Sequence, residues 1–282
     1  TIPRPGETID GELTLIGPGG KGSNQAGAAA KTYTSGKVAF IGRVGNDQHR
    51  QMFFSEYDRI GLDRSLVATH PTAPTGQAYI MLAADKQNSI IVALGANNCW
   101  DTTNVDGQER VVLSDAERDT ILGARVVMLQ REIPDEVNLA VAKLARAGGV
   151  PVMLDMGGKA GQADPNIFPF LSIFALNETE LARVAGQPVE LNPRVEADET
   201  LYQHLAVKPW FSSVPIVSAC VSLFAQGVEK VLVTLGGDGA MLVDSTGIIA
   251  YHPGFPPSTL VDTTGAGDCF RGAFSAAFVE GK

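Results

Sequence analysis

The stretch Asp262-Thr263-Thr264-Gly265-Ala266-Gly267-Asp268 lies close to the end of the sequence and decides how the rest is interpreted. Residues 258–261 before it favour an extended approach, and residues 269–280 after it carry apolar side chains at helical spacing. The stretch therefore predicts a tight glycine-rich turn that leads into a helix. The first N–H groups of a helix lack intrahelical partners and its dipole is positive there, so this position favours an anion. The two glycines let the backbone approach that anion closely.

Asp268 would place a carboxylate beside the bound anion, where it is unfavourable unless it has a function. If the anion is a phosphoryl group, that function is to remove a proton from an attacking hydroxyl. The alternative is that Asp268 only caps the helix, as aspartate often does. The turn by itself does not separate these two interpretations.

The composition is that of an ordinary globular protein with an acidic charge balance. The 282 residues are 44% hydrophobic, and the formal net charge of −9 argues against nucleic acid or an anionic membrane as a partner. Three cysteines without a CxxC pair predict neither a disulfide framework nor a zinc site, and they favour a reducing, cytoplasmic location. No apolar run is long enough to span a bilayer. The chain starts without methionine and stops directly after a predicted helix, so we expect both termini to be incomplete.

Strands alternate with helices through most of the chain. Apolar, β-branched runs followed by amphipathic stretches predict an α/β fold, with a mostly parallel central sheet and helices on both faces. The predicted strands are Arg125–Leu129, Val150–Asp155, Ile173–Leu176 and Lys230–Thr234, and the predicted helices are Gln48–Ile60, Pro134–Ala147, Glu178–Ala185 and Ile216–Gln226. Such sheets bind ligands at the carboxyl ends of their strands. Polar residues at those ends, and therefore candidates, are Glu132, Asp155, Asn177 and Thr234.

A smaller sheet is predicted apart from this core. Residues 78–83 and 89–94 are two strand-like stretches around a turn at 85–88, which predicts a β-hairpin. Residues 7–15 alternate between apolar and polar side chains and predict a further strand, and a short buried strand is predicted at 38–41. We expect 1–16 and 75–94 to form a β-lid on a core made of 17–74 and 95–282. The irregular segment 188–215 is expected to be a surface elaboration.

A second glycine-rich turn, Gly17-Pro18-Gly19-Gly20-Lys21-Gly22-Ser23-Asn24-Gln25, precedes an alanine-rich helix predicted at 26–31. Its glycines permit close approach of a ligand, and the Asn24 side chain can both donate and accept hydrogen bonds. The stretch does not fit a Walker loop, because Gly22 interrupts the required Lys-Ser pair. Alone, this stretch is more simply interpreted as a loop that starts a helix.

Three motifs occur in order along the chain: Gly19–Gln25, Asn177-Glu178-Thr179-Glu180 and Asp262–Asp268. Together they resemble the ribokinase-like (phosphofructokinase-B type) carbohydrate kinases over nearly the whole chain, and the last motif is highly specific. The resemblance implies a ribokinase-like fold with a β-lid and ATP-dependent phosphorylation of D-ribose at O5. It also implies Mg²⁺, a potassium ion and a homodimer formed through the lid. Alternative acceptors are fructose, deoxyribose, adenosine and 2-keto-3-deoxygluconate, and a non-catalytic sugar- or nucleotide-binding member of the fold is a further alternative.

The resemblance implies a role for each residue that matches a family motif. Asp268 would be the base for the sugar hydroxyl. The other assignments are Gly265, Ala266 and Gly267 to the anion hole; Gly19, Gly20, Lys21, Asn24 and Glu132 to the sugar; Asn177, Glu180, Thr234, Gly236 and Gly239 to the nucleotide; Glu180 to Mg²⁺ through water; and Asp262 and Thr264 to the monovalent cation. From the residues alone, Glu132 could instead be a helix N-terminal acid, Lys21 could face solvent, and Asp262 could stabilise a turn.

The sequence also departs from the family pattern at both ends. It lacks the Asn-x-Asp element on the family's opening strand, which grips the sugar hydroxyls, and it lacks the last segment with the adenine-side loop and further cation ligands. The resemblance therefore predicts that these elements, if the protein has them, precede Thr1 and follow Lys282.

Overall fold

The computed structural model describes residues 3, 6–11, 13–82, 88–159, 161–186, 215–255, 258–259 and 262–282. In chain order the strands are β1 (Gly42–Gly45), β2 (Val67–His70), β3 (Gln77–Leu82), β4 (Asn88–Ala93), β5 (Thr102–Val105), β6 (Gln108–Val111), β7 (Val127–Gln130), β8 (Val152–Asp155), β9 (Ile173–Asn177), β10 (Lys230–Thr234), β11 (Ala240–Asp244) and β12 (Gly247–His252). The helices are α1 (Lys21–Thr32), α2 (Gln48–Ile60), α3 (Asp115–Gly123), α4 (Asp135–Ala147), α5 (Glu178–Ala185), α6 (Pro215–Ala225) and α7 (Ala266–Glu280), with short 3-10 helices at Gly95–Asn98, Pro165–Phe170 and Gly236–Asp238.

A six-stranded sheet in the order β12-β11-β10-β9-β8-β7 forms the centre of the fold. Strands β7 to β10 are parallel to one another, whereas β11 and β12 are antiparallel and form one edge. All of β8 and the first four residues of β9 are buried, as expected for parallel strands that are covered on both faces. The predicted α/β sheet is therefore confirmed, and the structure adds an antiparallel edge to it.

Helix α4 contacts this sheet through one apolar face. In α4 the buried residues Val137, Val141 and Ala145 recur every four positions and pack into the main core. The helix predicted at 178–185 is confirmed with the same bounds; it begins with a capping box at Asn177 and ends at Gly186, whose φ is 67°. The capping box thus fixes the start of α5 at the carboxyl edge of the sheet, directly after β9.

Helices α1 and α7 lie side by side and run in the same direction. Asn24 meets Asp268 near their starts, and Thr34 meets Glu280 near their ends. A Cβ added at Gly272 would lie 2.7 Å from the Cβ of Ala28 and would overlap a backbone oxygen of α1. The close contact between α1 and α7 therefore requires a residue without a side chain at position 272. This packing brings two helix N-termini to the same place.

One predicted strand does not form, and several others have different bounds. Residues 7–11 and 13–15 form neither strand nor helix, because alternation alone does not create a strand without a partner to pair with. Leu13 and Leu15 in this segment are 75% and 83% exposed. The strand predicted at 38–41 is reduced to a bridge between Ala39 and Asp63, and β1 starts at Gly42. Helix α1 begins five residues before the predicted position, at Lys21.

The predicted β3–β4 hairpin is confirmed, but β2, α3 and two further hairpins were not predicted. The β5–β6 hairpin turns at Asp106 and Gly107, which have φ values of 53° and 80°. An Asp-Gly pair is a strong signal for this kind of turn, so that hairpin could have been found in the sequence.

Some expectations lie outside the described residues. These are the turn at 85–87 and the elaboration at 188–214; Pro215 is the first residue of α6. The division of the chain into a core and a β-lid stays a prediction. Among the residues that the structure describes, no helix is both long enough and apolar enough to cross a membrane.

Candidate active site

The first turns of α1, α5 and α7 surround one group of charged side chains. The N-terminus of a helix carries unpaired N–H groups and partial positive charge, so three such ends together favour anionic ligands and stabilise nearby carboxylates. The group lies beside the carboxyl ends of β8, β9 and β10, where a parallel sheet is expected to bind its ligands.

Asp268 lies in the first turn of α7 and is only 6% exposed. Nδ2 of Asn24 donates to its Oδ2 at 3.0 Å, and Nε2 of Gln25 donates to its Oδ1 at 3.1 Å. The residue at the N-cap position of α7 is Gly265, and no side chain caps the helix there. The carboxylate of Asp268 is therefore held by α1 rather than used as a cap. Each of its oxygens keeps a free lone pair, since an ionised carboxylate has roughly four acceptor positions.

Lys21 connects Asp268 to Glu132. Its backbone N–H donates to Oε2 of Glu132 at 2.7 Å, and its Nζ lies 3.6 Å from Oδ1 of Asp268. A Cβ added at Gly20, whose φ is 89°, would lie 3.5 Å from the same Glu132 oxygen. The structure thus brings Gly20, Lys21, Glu132 and Asp268 together, with Asn24, as the sequence predicts. No described atom lies within 4 Å of a Cβ added at Gly19.

Burial raises the pKa of Glu132 above its ordinary value. The N–H and the charge of Lys21 oppose this shift, while the negative charges of Asp268 and Asp155 add to it. Because the folded state binds this proton more tightly than the unfolded state, ionised Glu132 destabilises the fold. That penalty appears as the pH rises from the ordinary glutamate pKa through the raised one.

We expect Glu132→Gln to become more stable relative to the wild type as the pH rises from about 4 to about 8. Glutamine keeps an oxygen that can accept from Lys21 but carries no charge to desolvate. The free energy of unfolding, measured by urea denaturation across this range, tests the prediction. Glu136→Gln removes the same charge from an exposed position on α4 and serves as the control. A stability difference that does not vary with pH would contradict the prediction.

Asp155, Gln25 and Arg271 form a buried group that directly adjoins Asp268. Asp155 was a strand-end candidate without a role, and the other two were not predicted. Asp155 and Gln25 are 0% exposed and Arg271 is 4% exposed. Nε2 of Gln25 donates to Oδ2 of Asp155 at 2.6 Å, and Nη1 of Arg271 lies 3.3 Å from the same oxygen. Arg271 follows Asp268 by three positions on α7, and this spacing, which places both on one helix face, is the signal that could have found it.

The residues assigned to the nucleotide lie at the adjoining ends of β9 and β10. Oδ1 of Asn177 accepts from N of Glu180 at 2.8 Å, and Oε2 of Glu180 accepts from N of Asn177 at 2.9 Å. Thr234 is directly opposite Asn177 in the parallel register. Gly236 and Gly239 follow with φ values of 54° and 103°, and a Cβ at Gly239 would overlap the carbonyl oxygen of His252. This turn therefore requires glycine at position 239.

Arg271 joins the nucleotide residues to the Asp268 group. Its Nη2 lies 3.9 Å from Oε2 of Glu180, and its Nη1 contacts Asp155. A Cβ added at Gly267 would lie 2.9 Å from Nη1 of Arg271, so the guanidinium packs directly behind the glycine-rich turn.

The glycine-rich turn itself differs in one respect from the expected anion hole. N of Ala266 donates to the carbonyl oxygen of Thr263 at 3.1 Å. The amides of Gly265 and Gly267 donate to no other described residue, so these two of the three are free to donate to an anion.

Asp262 and Thr264 form a separate exposed feature before this turn. N of Thr264 donates to Oδ1 of Asp262 at 2.8 Å, and this hydrogen bond lowers the pKa of Asp262. No hydrogen bond between described residues joins this pair to Asp268. An ionised, exposed carboxylate is chemically suitable for binding a cation. The hydrogen bond from N of Thr264 to Asp262 is equally typical of an aspartate that only stabilises a turn.

Comparison with known proteins places this arrangement in a family. The model of the family described as "pfkB family carbohydrate kinase" matches residues 3–282. The chain is 36% identical over its whole length to a ribokinase of Arabidopsis thaliana, and 32% identical over 99% of its length to a ribokinase of Haemophilus influenzae. It spans 66% of the length of the first relative and 80% of the second.

A solved structure agrees with this result. The structure of Arabidopsis thaliana ribokinase complexed with ribose and ATP superposes with a TM-score of 0.82 at 36% identity, covering 100% of this chain and 81% of that one. The family match extends over nearly all of the sequence, and the fold agrees along its full length. This chain belongs to the pfkB family of carbohydrate kinases.

Proposed function

We propose that this protein transfers the γ-phosphoryl group of ATP to O5 of D-ribose, giving ribose 5-phosphate and ADP. The observation that carries the proposal is the position of Asp268, buried at the start of α7 and held by amide donors from α1. The similarity to proteins named ribokinase, one of them solved with ribose and ATP, supports this acceptor and this donor.

In the proposed reaction Asp268 accepts the proton of the O5 hydroxyl as the oxygen attacks the γ-phosphorus. The bond between the γ-phosphorus and the bridging oxygen of ATP breaks, and ADP leaves with the electron pair of that bond. The amides of Gly265 and Gly267 donate to the oxygens of the transferring group, on which charge accumulates. Lys21 and Glu132 hold the sugar, so that its hydroxyl reaches the free lone pair of Asp268.

The residues present fit a magnesium ion that accompanies ATP. The group contains more acidic than basic side chains: Glu132, Asp155, Glu180 and Asp268 face Lys21 and Arg271. Glu180, whose carboxylate is fixed by the capping box with Asn177, would hold the ion through water. When bound, Mg²⁺ would neutralise charge on the phosphate oxygens.

We also propose that Asp262 and Thr264, which are joined by a hydrogen bond directly before the anion hole, contribute to a potassium site, as the family resemblance implies. The three cysteines are free, which supports a reducing compartment such as the cytoplasm.

The direct test is an assay of the full-length protein with ATP, Mg²⁺ and ribose, in potassium or tetramethylammonium buffer. ADP release should depend on ribose, mass spectrometry should find ribose 5-phosphate, and turnover should be faster in potassium. The same assay with deoxyribose, fructose, adenosine and 2-keto-3-deoxygluconate decides among the alternative acceptors. Binding of sugar and nucleotide by calorimetry without any ADP release would instead support a non-catalytic member of the fold.

The β3–β4 hairpin supports the proposal of a lid that also joins two copies of the chain. Its residues alternate between two faces, with Ile80 paired to Ile90 on one and Tyr79 paired to Ile91 on the other. All four are between 52% and 60% exposed, so both faces present apolar surface. We propose that one face closes over the sugar and excludes water, and that the other packs against the hairpin of a second copy.

We expect Ile90→Asp and Ile91→Asp to have different effects, because these neighbours on β4 lie on opposite faces. One should convert a dimer to a monomer in sedimentation velocity, and the other should raise the KM for the sugar about tenfold or more, since a buried charge is strongly unfavourable. A wild type that sediments as a monomer, or two variants that both sediment like a wild-type dimer, would rule out dimerisation through the hairpin.

A further inference from the structure

Gln25 is fully buried, and its side-chain amide is engaged on both sides. Its Nε2 donates to Oδ2 of Asp155 at 2.6 Å and to Oδ1 of Asp268 at 3.1 Å. Its Oε1 accepts from Nε2 of Gln130 at 2.9 Å. A side-chain NH₂ has two protons, so each carboxylate receives one and none is left over. The orientation of the amide is therefore fixed by its neighbours.

The Asp155 carboxylate, which accepts from this amide, is a buried negative charge that neighbouring groups compensate. Asp155 is 0% exposed, and its Oδ1 accepts from the backbone N of Gly157 at 2.8 Å. Nη1 of Arg271 lies 3.3 Å from Oδ2, and Nζ of Lys21 lies 3.8 Å from the same atom. Without these donors a buried carboxylate would be strongly destabilising. With them, Asp155 stays at the end of β8 as a rigid point from which Gln25 reaches Asp268.

We propose that Gln25, anchored by Asp155, is a positioning residue that orients the Asp268 carboxylate toward the acceptor hydroxyl. The inference rests on the proposed function of Asp268 as base and adds a group that acts only through it. Asn24 holds one oxygen of Asp268 and Gln25 holds the other, so the two amides together fix the plane of the carboxylate. Without Gln25, the contact left at Oδ1 among the described residues is Nζ of Lys21 at 3.6 Å, which is longer than a hydrogen bond and does not fix the plane of the carboxylate.

The variant Gln25→Met tests this inference, because methionine fills a similar volume and donates no hydrogen bond. We expect kcat to fall about tenfold to a hundredfold, which is the order of the loss caused by a misplaced catalytic group, while the KM values for ribose and ATP change less than threefold. Gln51→Met, at an exposed position on α2, is the matched control and should behave like the wild type. A kcat within threefold of the wild type, or a loss confined to KM, would overturn the inference.

A second comparison separates positioning from packing. In an Asp268→Asn background the added Gln25→Met should lower the remaining kcat by less than twofold, because the base that Gln25 positions is already absent. If the factors by which the two substitutions lower kcat instead multiply in the double variant, Gln25 acts independently of Asp268.

A crystal structure of Gln25→Met gives a result that does not depend on the substrate. The Asp268 carboxylate should rotate away from its wild-type orientation, and an unchanged orientation would overturn the inference. If the wild type phosphorylates no sugar, the proposed function fails, but this structural comparison still decides whether Gln25 orients Asp268.

Discussion

Replacing Asp268 with asparagine should lower kcat by about a hundredfold to ten-thousandfold, the range expected when a general base is removed. The amide has nearly the same shape and lies in the same buried position, but it cannot accept the proton of the acceptor hydroxyl. Because we propose that other residues hold most of the sugar and the nucleotide, we expect both KM values to stay within about threefold of the wild type. Steady-state kinetics of the phosphorylation of ribose provides the measurement.

Asp119→Asn is a matched control, since Asp119 lies at an exposed position on α3 and its side chain makes no hydrogen bond to another described residue. It should keep nearly full activity. A kcat for Asp268→Asn less than about tenfold below that of the wild type would reject the role of Asp268 as base, whatever the other residues do. Circular dichroism and thermal unfolding should show that both variants are folded.

The sequence predicts candidate site residues best where each lies within a short motif. Asn24 and Asp268 belong to two glycine-rich turns, the resemblance implies a role for each, and the structure places their side chains 3.0 Å apart. Gln25 was not predicted, although it is the next residue after Asn24. Its function depends on contacts with Asp155 and Asp268, which are 130 and 243 residues away in the chain. No spacing rule of a single sequence relates positions that far apart.

The fold was predicted well where burial forces a pattern and poorly where it does not. The strands β8 and β9 are buried on both faces, so their continuous apolar runs identified them. Residues 7–15 have the alternation of a strand, but 7–11 and 13–15 pair with no other described segment, and the large apolar side chains there are exposed. Alternation records which residues could share a face. It does not record whether a partner strand is present.

The second large effect concerns the packing that creates the site. We expect Gly272→Ala to destabilise the protein by about 2–3 kcal/mol, the cost of forcing an extra methyl group into a well-packed contact. In an exposed helix the same change stabilises by about 1 kcal/mol, because alanine is the better helix former. Here the added Cβ would overlap the carbonyl oxygen of Gln25 and lie 3.0 Å from N of Ala29. Both contacts are with the backbone, so no rotamer change can relieve them and α1 must move away from α7.

Gly123→Ala is the matched control, because Gly123 is the last residue of α3 and no described atom lies within 4 Å of a Cβ added there. That variant should be at least as stable as the wild type in urea denaturation. Movement of α1 also carries Asn24 and Gln25 away from Asp268, so Gly272→Ala should lower kcat about tenfold even at temperatures where it is folded. A Gly272→Ala protein that is both as stable and as active as Gly123→Ala would show that the separation of these helices does not control the position of the carboxylate.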